Sequence, residues 1–79
     1  MTTFHLLEKT FAAVFSGHKN VVTVAHRDDT FVGERIRLCS DDLKLAVAMT
    51  VTSLVHSPSK DTMTMSIDNM EEIDYAICA

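Results

Sequence analysis

The stretch from Leu43 to Val55, LKLAVAMTVTSLV, decides how the whole chain is read. Ser40, Asp41 and Asp42 just before it have the character of a helix N-cap and an acidic first turn, and Ala46 and Ala48 favour a helix behind them. Against this, Leu45, Val47, Met49, Val51 and Val55 alternate with Lys44, Ala46, Ala48, Thr50 and Thr52. Val47, Thr50, Val51, Thr52 and Val55 are also β-branched, and such side chains lose rotamer freedom in a helix but pack well on a pleated surface. We read the stretch as one long strand with one apolar face. The helical reading gives the alternative, an α+β fold with two helices and two hairpins.

Downstream, Ser57-Pro58-Ser59-Lys60-Asp61 is turn material, because the proline ring presets φ and biases Ser57 away from helix. Thr62 to Ile67 alternate again, and after Asp68-Asn69-Met70-Glu71 a last short strand places Ile73, Tyr75 and Ile77 on one face. Upstream, Val22 and Val24 alternate, His26 to Thr30 form a turn, and Phe31 to Cys39 carry Val32, Ile36 and Leu38 in register, so the segment reads as a hairpin. Residues 1–18 read as a helix, with Phe4, Leu7, Phe11 and Phe15 at helical spacing, Thr2 or Thr3 as cap and Gly17 as the left-handed stop. The expected fold is therefore mostly β: an N-terminal helix, then five antiparallel strands over residues 20–79. A strongly bent barrel is more economical than a flat sheet here, since closure removes exposed edges.

At 79 residues, with 47% apolar and 23% charged side chains, the chain is expected to form a single domain spanning 1–79. No apolar run approaches the roughly 20 residues of a membrane helix. A domain this small hides only about 60% of the surface of its unfolded chain, so its apolar content points to self-association. Seven Lys and Arg against eleven Asp and Glu give a net charge of −4, which argues against blanket binding of a phosphate backbone. All the basic residues precede Asp61, whereas Asp61, Asp68, Glu71, Glu72 and Asp74 make the last segment acidic. Cys39 and Cys78, without a CxxC pair or a signal-peptide pattern, fit a reduced, cytoplasmic protein in which a disulfide is not expected.

In order, a short helix, Val22-x-Val24, a hairpin leading to Phe31-Val32-Gly33, then Ile36 and Leu38, an acidic turn and an apolar strand from Leu43 resemble the first motif of the Sm and Sm-like (LSm) proteins. Ile67-Asp68-Asn69-Met70-Glu71-Glu72-Ile73-Asp74-Tyr75 resembles the second. Gly33 is the most telling match, a glycine inside a strand where the barrel must bend. The resemblance implies an SH3-like bent barrel whose last two strands pair with neighbouring copies in a ring that binds single-stranded RNA near the pore. Residues 73–79 agree with the ring, since a strand without Lys, Arg or Pro is an unprotected edge.

By the same resemblance, Asp41, Asp42, Lys44, Asp68 and Asn69 occupy the RNA-binding positions. The chain departs from the family at two of them: Lys44 stands where an Asn contacts a base, and Asp68 stands where a cation is usual and would repel phosphate. Asn69 has an amide able to bond a base edge, or serves as a turn residue tolerating positive φ. Arg27, Arg35 and Arg37 share one side of the first hairpin, as a basic patch for RNA or as a solvated face paired with Glu34, Asp28 or Asp29. Phe31 stacks on a base or packs against the helix.

Catalysis finds no support: His5, His18, His26 and His56 are scattered, no nucleophile motif is present, and Gly33 alone makes no phosphate loop. A zinc site built from His26, Cys39, His56 and Cys78 matches no ligand spacing. No cofactor, metal, membrane or small-molecule substrate is expected. The functional expectation is a homo-oligomeric Sm-like ring that binds RNA in its processing or regulation. The alternative is a non-enzymatic oligomeric scaffold for protein interactions with little RNA affinity.

Overall fold

The computed structural model describes residues 2–78. Its elements are strand β1 (Thr3–His5), helix α1 (Glu8–Phe15), strands β2 (Val21–Ala25), β3 (Arg35–Ser40), β4 (Leu45–His56) and β5 (Thr62–Ile73), and a closing 3-10 helix, η1 (Tyr75–Cys78). The five strands form one strongly curled sheet, a half-barrel, in the order β1-β3-β4-β5-β2. No helix among the described residues is long and apolar enough to cross a membrane.

The Leu43–Val55 stretch is a strand, as its alternation and β-branching predict, and the two-helix alternative falls with it. Its face does not stay constant, however. Val47, Met49 and Val51 are buried on the concave side, but register shifts at Ala48/Thr50 and Val51/Ser53 mark bulges, and beyond Thr52 the alternation slips by one residue. Leu54 takes the inward place opposite Met65, and Val55, expected inside, is 64% exposed opposite Thr64. One extra residue in a strand turns every later side chain to the other face, and the added twist helps the sheet curl.

The concave face is filled by Ile36 and Leu38 of β3, Val47, Met49 and Val51 of β4, Met63, Met65 and Ile67 of β5 and Val22 of β2. Phe4 of β1 and Phe11 and Val14 of α1 complete this core. Phe11 is fully buried and stacks on Phe15 with ring centroids 5.8 Å apart. Deleting such a ring leaves a void that close-packed neighbours do not collapse into.

Four expectations are corrected. The segment 1–18 is not a single helix: Thr3–His5 form a strand that runs parallel to β3, with Phe4 beside Leu38, and the helix begins only at Glu8, after Leu7 in extended conformation. Leu7, which the helical stripe placed inside, is 79% exposed, because Phe4 reaches the core from a strand; Met1 lies outside the described residues. The stop is where the sequence puts it, at Gly17 with φ +85°.

The expected hairpin of residues 20–39 does not form. β2 pairs antiparallel with β5, at the far side of the sheet from β3, and residues 26–34 cross between them. Gly33 therefore lies in a turn before β3 rather than inside a strand, at φ +95°, donating its N–H to the Val51 carbonyl at 2.7 Å. Phe31 and Val32, read as strand residues, are exposed there.

The two expected C-terminal strands are one. β5 runs unbroken from Thr62 to Ile73 because Asn69, at φ 58°, absorbs a bulge where a turn was expected. Residues 75–78 then wind into η1, and Ala79 lies outside the described residues. The barrel thus counts five strands by recruiting Thr3–His5 in place of residues 73–77.

Finally, Cys39 and Cys78 form a disulfide, with Cα atoms 6.4 Å apart. The sequence hides this pairing because the residues are 39 positions apart and meet only when η1 folds back over β3.

Candidate functional site

The convex face of β3, β4 and β5 carries Arg35 and Arg37, with the other residues that the sequence marks for RNA at the β5 bulge and in the β3–β4 turn. Arg35, Arg37 and Cys39 lie opposite Thr50, Ala48 and Ala46 across the β3–β4 ladder, and Ala48 and Ala46 lie opposite Glu71 and Ile73 of β5. All these side chains share one face because strand residues alternate sides.

Arg35 is held through both terminal guanidinium nitrogens. One guanidinium nitrogen donates to the Thr50 hydroxyl at 3.1 Å and to the Asn69 carbonyl, and the other stands 3.5 Å from the Glu71 carboxylate. Asp68 accepts the Asn69 backbone N–H at 2.8 Å, a local bond that supports the positive φ of Asn69. Arg35, Asp68 and Asn69 are therefore brought together as a structural clasp around the β5 bulge.

A second group forms at the β3–β4 turn. Asp41 accepts the Tyr75 hydroxyl at 2.6 Å and lies 3.3 Å from His5 Nδ1. The Tyr75 hydrogen bond, with the nearby His5 and Lys44, holds the Asp41 carboxyl below its ordinary range, and the same bond to Asp41 raises the Tyr75 phenol above its own. Lys44, at φ 55° in the turn, places its ammonium 5.3 Å from the Tyr75 ring centre, and Asp42 stands exposed beside it. Arg37 sits between the two groups and reaches the Ile77 carbonyl at 3.5 Å.

Arg27 does not join this face. It lies in the 26–34 crossing, paired with Asp29 at 3.2 Å and standing 5.9 Å from the Phe4 ring centre; the Arg27 bond lowers the Asp29 carboxyl below its usual range. The sequence assigns no site role to Tyr75, His5, Thr50 and Glu71, the partners of Asp41 and Arg35, and they become visible as partners only through the fold.

His26, Cys39, His56 and Cys78 form two separate pairs rather than one zinc site. Cys39 and Cys78 are bonded near the start of β4, while His26 and His56 face each other at its other end, Nδ1 to Nδ1 at 2.9 Å. Asp28 lies 2.6 Å from His26 Nε2. Among the described residues no group of three or more metal-ligating side chains converges.

Two further features are geometric. A cleft of about 390 Å³ opens between β1 and β2, the two outer strands of the half-barrel, lined by Thr3, His5, Thr10 and Thr23 among apolar neighbours. Thr2 and Leu6 spend backbone bonds on β3, Asn20 accepts from Ile67 of β5, and His26 donates to the carbonyl of Asp61 just before β5. The alternate residues Thr3, His5, Val21, Thr23 and Ala25 thus turn their peptide groups towards the opening.

The long strands also have open edges. β2 covers β5 only over Thr62–Ser66, and β3 covers β4 only over Leu45–Thr50, with Val51 added by bonds to Gly33 and Glu34. Among the described residues, this leaves Asp68–Ile73 of β5 and Thr52–His56 of β4 unpaired on opposite sides of the β4–β5 hairpin. The first edge carries Asp68, Glu71 and Glu72; the second carries no carboxylate. Compared with known families, curated proteins and solved structures, the chain matches no family model, no curated protein and no solved structure.

Proposed function

We propose that this chain is a non-enzymatic interaction module that assembles with copies of itself by strand pairing, head to tail. The observation that carries the reading is the pair of unlike open edges, Asp68–Ile73 of β5 and Thr52–His56 of β4. Open edges are templates for pairing unless charge blunts them. Two β5 edges placed together would set Asp68, Glu71 and Glu72 against their own copies, and like charges directly opposite destabilise a ladder. The carboxylate-free β4 edge has no such conflict, so unlike edges are the compatible pair. Repeated unlike contacts close into a ring when the rotation per subunit permits.

A second reading is the Sm-like ring that binds single-stranded RNA through Asp41, Asp42, Lys44, Asp68, Asn69, Arg35 and Arg37. It is supported by the resemblance, by the curled five-stranded sheet, by Arg35 meeting Asp68 and Asn69 at the β5 bulge and by Asp41 and Lys44 meeting at Tyr75. The first reading is favoured because Arg35, Arg37 and Lys44 already have partners within the chain. Phosphate would have to replace those contacts.

Opposite charges at one exposed position test the assembly. Val55→Glu places a carboxylate on the neutral edge and is expected to reduce the solution mass to that of a monomer, whereas Val55→Lys, attractive to the acidic edge, preserves or strengthens assembly. Equal behaviour of the two variants overturns the edge-to-edge scheme. Titration with single-stranded RNA over a range of salt separates the readings: a steep loss of affinity with salt, reduced by Arg35→Ala with Arg37→Ala, favours RNA.

A further inference from the structure

The C-terminal η1 lies on the convex face as a flap, and its hold on that face is uneven. Beneath it, Cys39 and Ala46 are fully buried and Ala48 is 4% exposed, although they belong to the face of the sheet that points away from the core. Above it, none of Tyr75, Ala76, Ile77 and Cys78 is buried. A single 3-10 turn of four residues has little stability of its own. Its noncovalent ties are the solvent-exposed Tyr75–Asp41 bond, the long 3.5 Å contact from Arg37 to the Ile77 carbonyl, and Lys44 over the Tyr75 ring. Among these ties only the Cys39–Cys78 bond is covalent, and Cys78, unlike the fully buried Cys39, is a partly exposed residue.

We infer that the Cys39–Cys78 disulfide is a redox latch: reduction releases residues 74–78 from the convex face and uncovers Cys39, Ala46 and Ala48, while the core stays folded. A dithiol reductant carries the change. Its thiolate attacks the Cys78 sulfur, the Cys39 thiolate leaves and takes up a proton, and the second thiol closes on the mixed disulfide, so that two protein thiols appear and the reductant becomes a disulfide. The core does not pack against the latch, since Phe11, Ile36, Met63 and their neighbours lie on the concave side. Release also frees Arg37 and Lys44, two cations held by the closed flap.

The chain contains one tyrosine and no tryptophan, so tyrosine optics report on the flap alone. The experiment follows the 295 nm titration and fluorescence anisotropy of Tyr75 with and without dithiothreitol, the alkylation of Cys39 by iodoacetamide, and the far-UV circular dichroism of the same samples. Expected on reduction are a shift of the Tyr75 titration down to the ordinary tyrosine range, a fall in anisotropy, and alkylation of Cys39, with the strand spectrum retained. Cys78→Ser should give the same open state without reductant. Two outcomes overturn the proposal: an unchanged Tyr75 titration with Cys39 unreactive means the flap stays down, and loss of the strand spectrum means the bond is a staple for the whole domain.

Discussion

Breaking the Cys39–Cys78 bond should lower the stability of the domain by an amount that its position in the chain fixes. The bond spans a sequence separation of 39 residues. Closing a loop of this length removes about 13 cal/mol/K of entropy from the unfolded chain, equivalent to about 3.9 kcal/mol at 25 °C and near the top of the usual range of about 2–4 kcal/mol. For 79 residues, the unfolding entropy near the midpoint is roughly 170 cal/mol/K, so each kcal/mol moves Tm by about 6 °C. The expected fall in Tm is therefore about 20 °C. A domain of this length has on the order of 4–12 kcal/mol in total, so the reduced protein remains folded at room temperature only if it lies in the upper part of that range. The assay is thermal unfolding by circular dichroism of oxidised protein, reduced protein and Cys78→Ser, with thiol counts before and after reduction. A fall below about 5 °C, or free thiols in the oxidised sample, refutes the reasoning that this bond closes a long loop.

Four other outcomes follow from particular residues. Tyr75 should ionise above the ordinary tyrosine value of about 10 in the oxidised protein, and Asp41→Asn should bring it back down; a 295 nm titration checks this directly. The raised Tyr75 favours the folded state below the unfolded pKa and loses that contribution as pH rises through the folded one. The lowered Asp41 favours folding above its unfolded pKa and loses its contribution as pH falls through the folded one, so the protection of amides 74–78, measured as the exchange rate relative to its intrinsic value at each pH, should be greatest between about pH 5 and 9 and fall at both extremes. Phe11→Ala should cost about 3–5 kcal/mol in urea unfolding, because a fully buried ring leaves a void in a tightly packed core. Gly33→Ala should cost about 1–2 kcal/mol through φ +95° alone, since no atom lies within 4 Å of the added methyl; a loss below 0.5 kcal/mol would mean the turn relaxes.

The parts of the fold legible in the sequence are those set by local chemistry. Alternation and β-branching place Leu45–His56 in a strand, Ser57–Asp61 mark the β4–β5 turn, and Gly17 ends the helix. What could not be read is set by partners remote in sequence. Phe4 fits a helical stripe with Phe11 and Phe15, yet its partner is Leu38 in a parallel ladder. Val22 and Val24 have the alternation of a hairpin strand, but alternation names no partner, and theirs is Met65 and Met63 rather than β3. Thr52 adds a residue to β4, so a strict period-two pattern carried Val55 to the wrong face. Asn69 illustrates an ambiguity of its residue type: tolerance of positive φ suits a tight turn and a bulge equally, and here it serves the bulge. The site followed the same division. Asp41 and Lys44 stand out at motif positions and Arg35 and Arg37 as a basic hairpin face, whereas their partners Glu71 and Tyr75 depend on the β4–β5 register and on how the last residues fold back.

The most direct test of the assembly is the molar mass in solution, measured by light scattering on oxidised protein over a wide concentration range. Head-to-tail pairing of the β4 and β5 edges predicts a defined species of more than two 8.8 kDa subunits. A mass of 8.8 kDa at every concentration would contradict it.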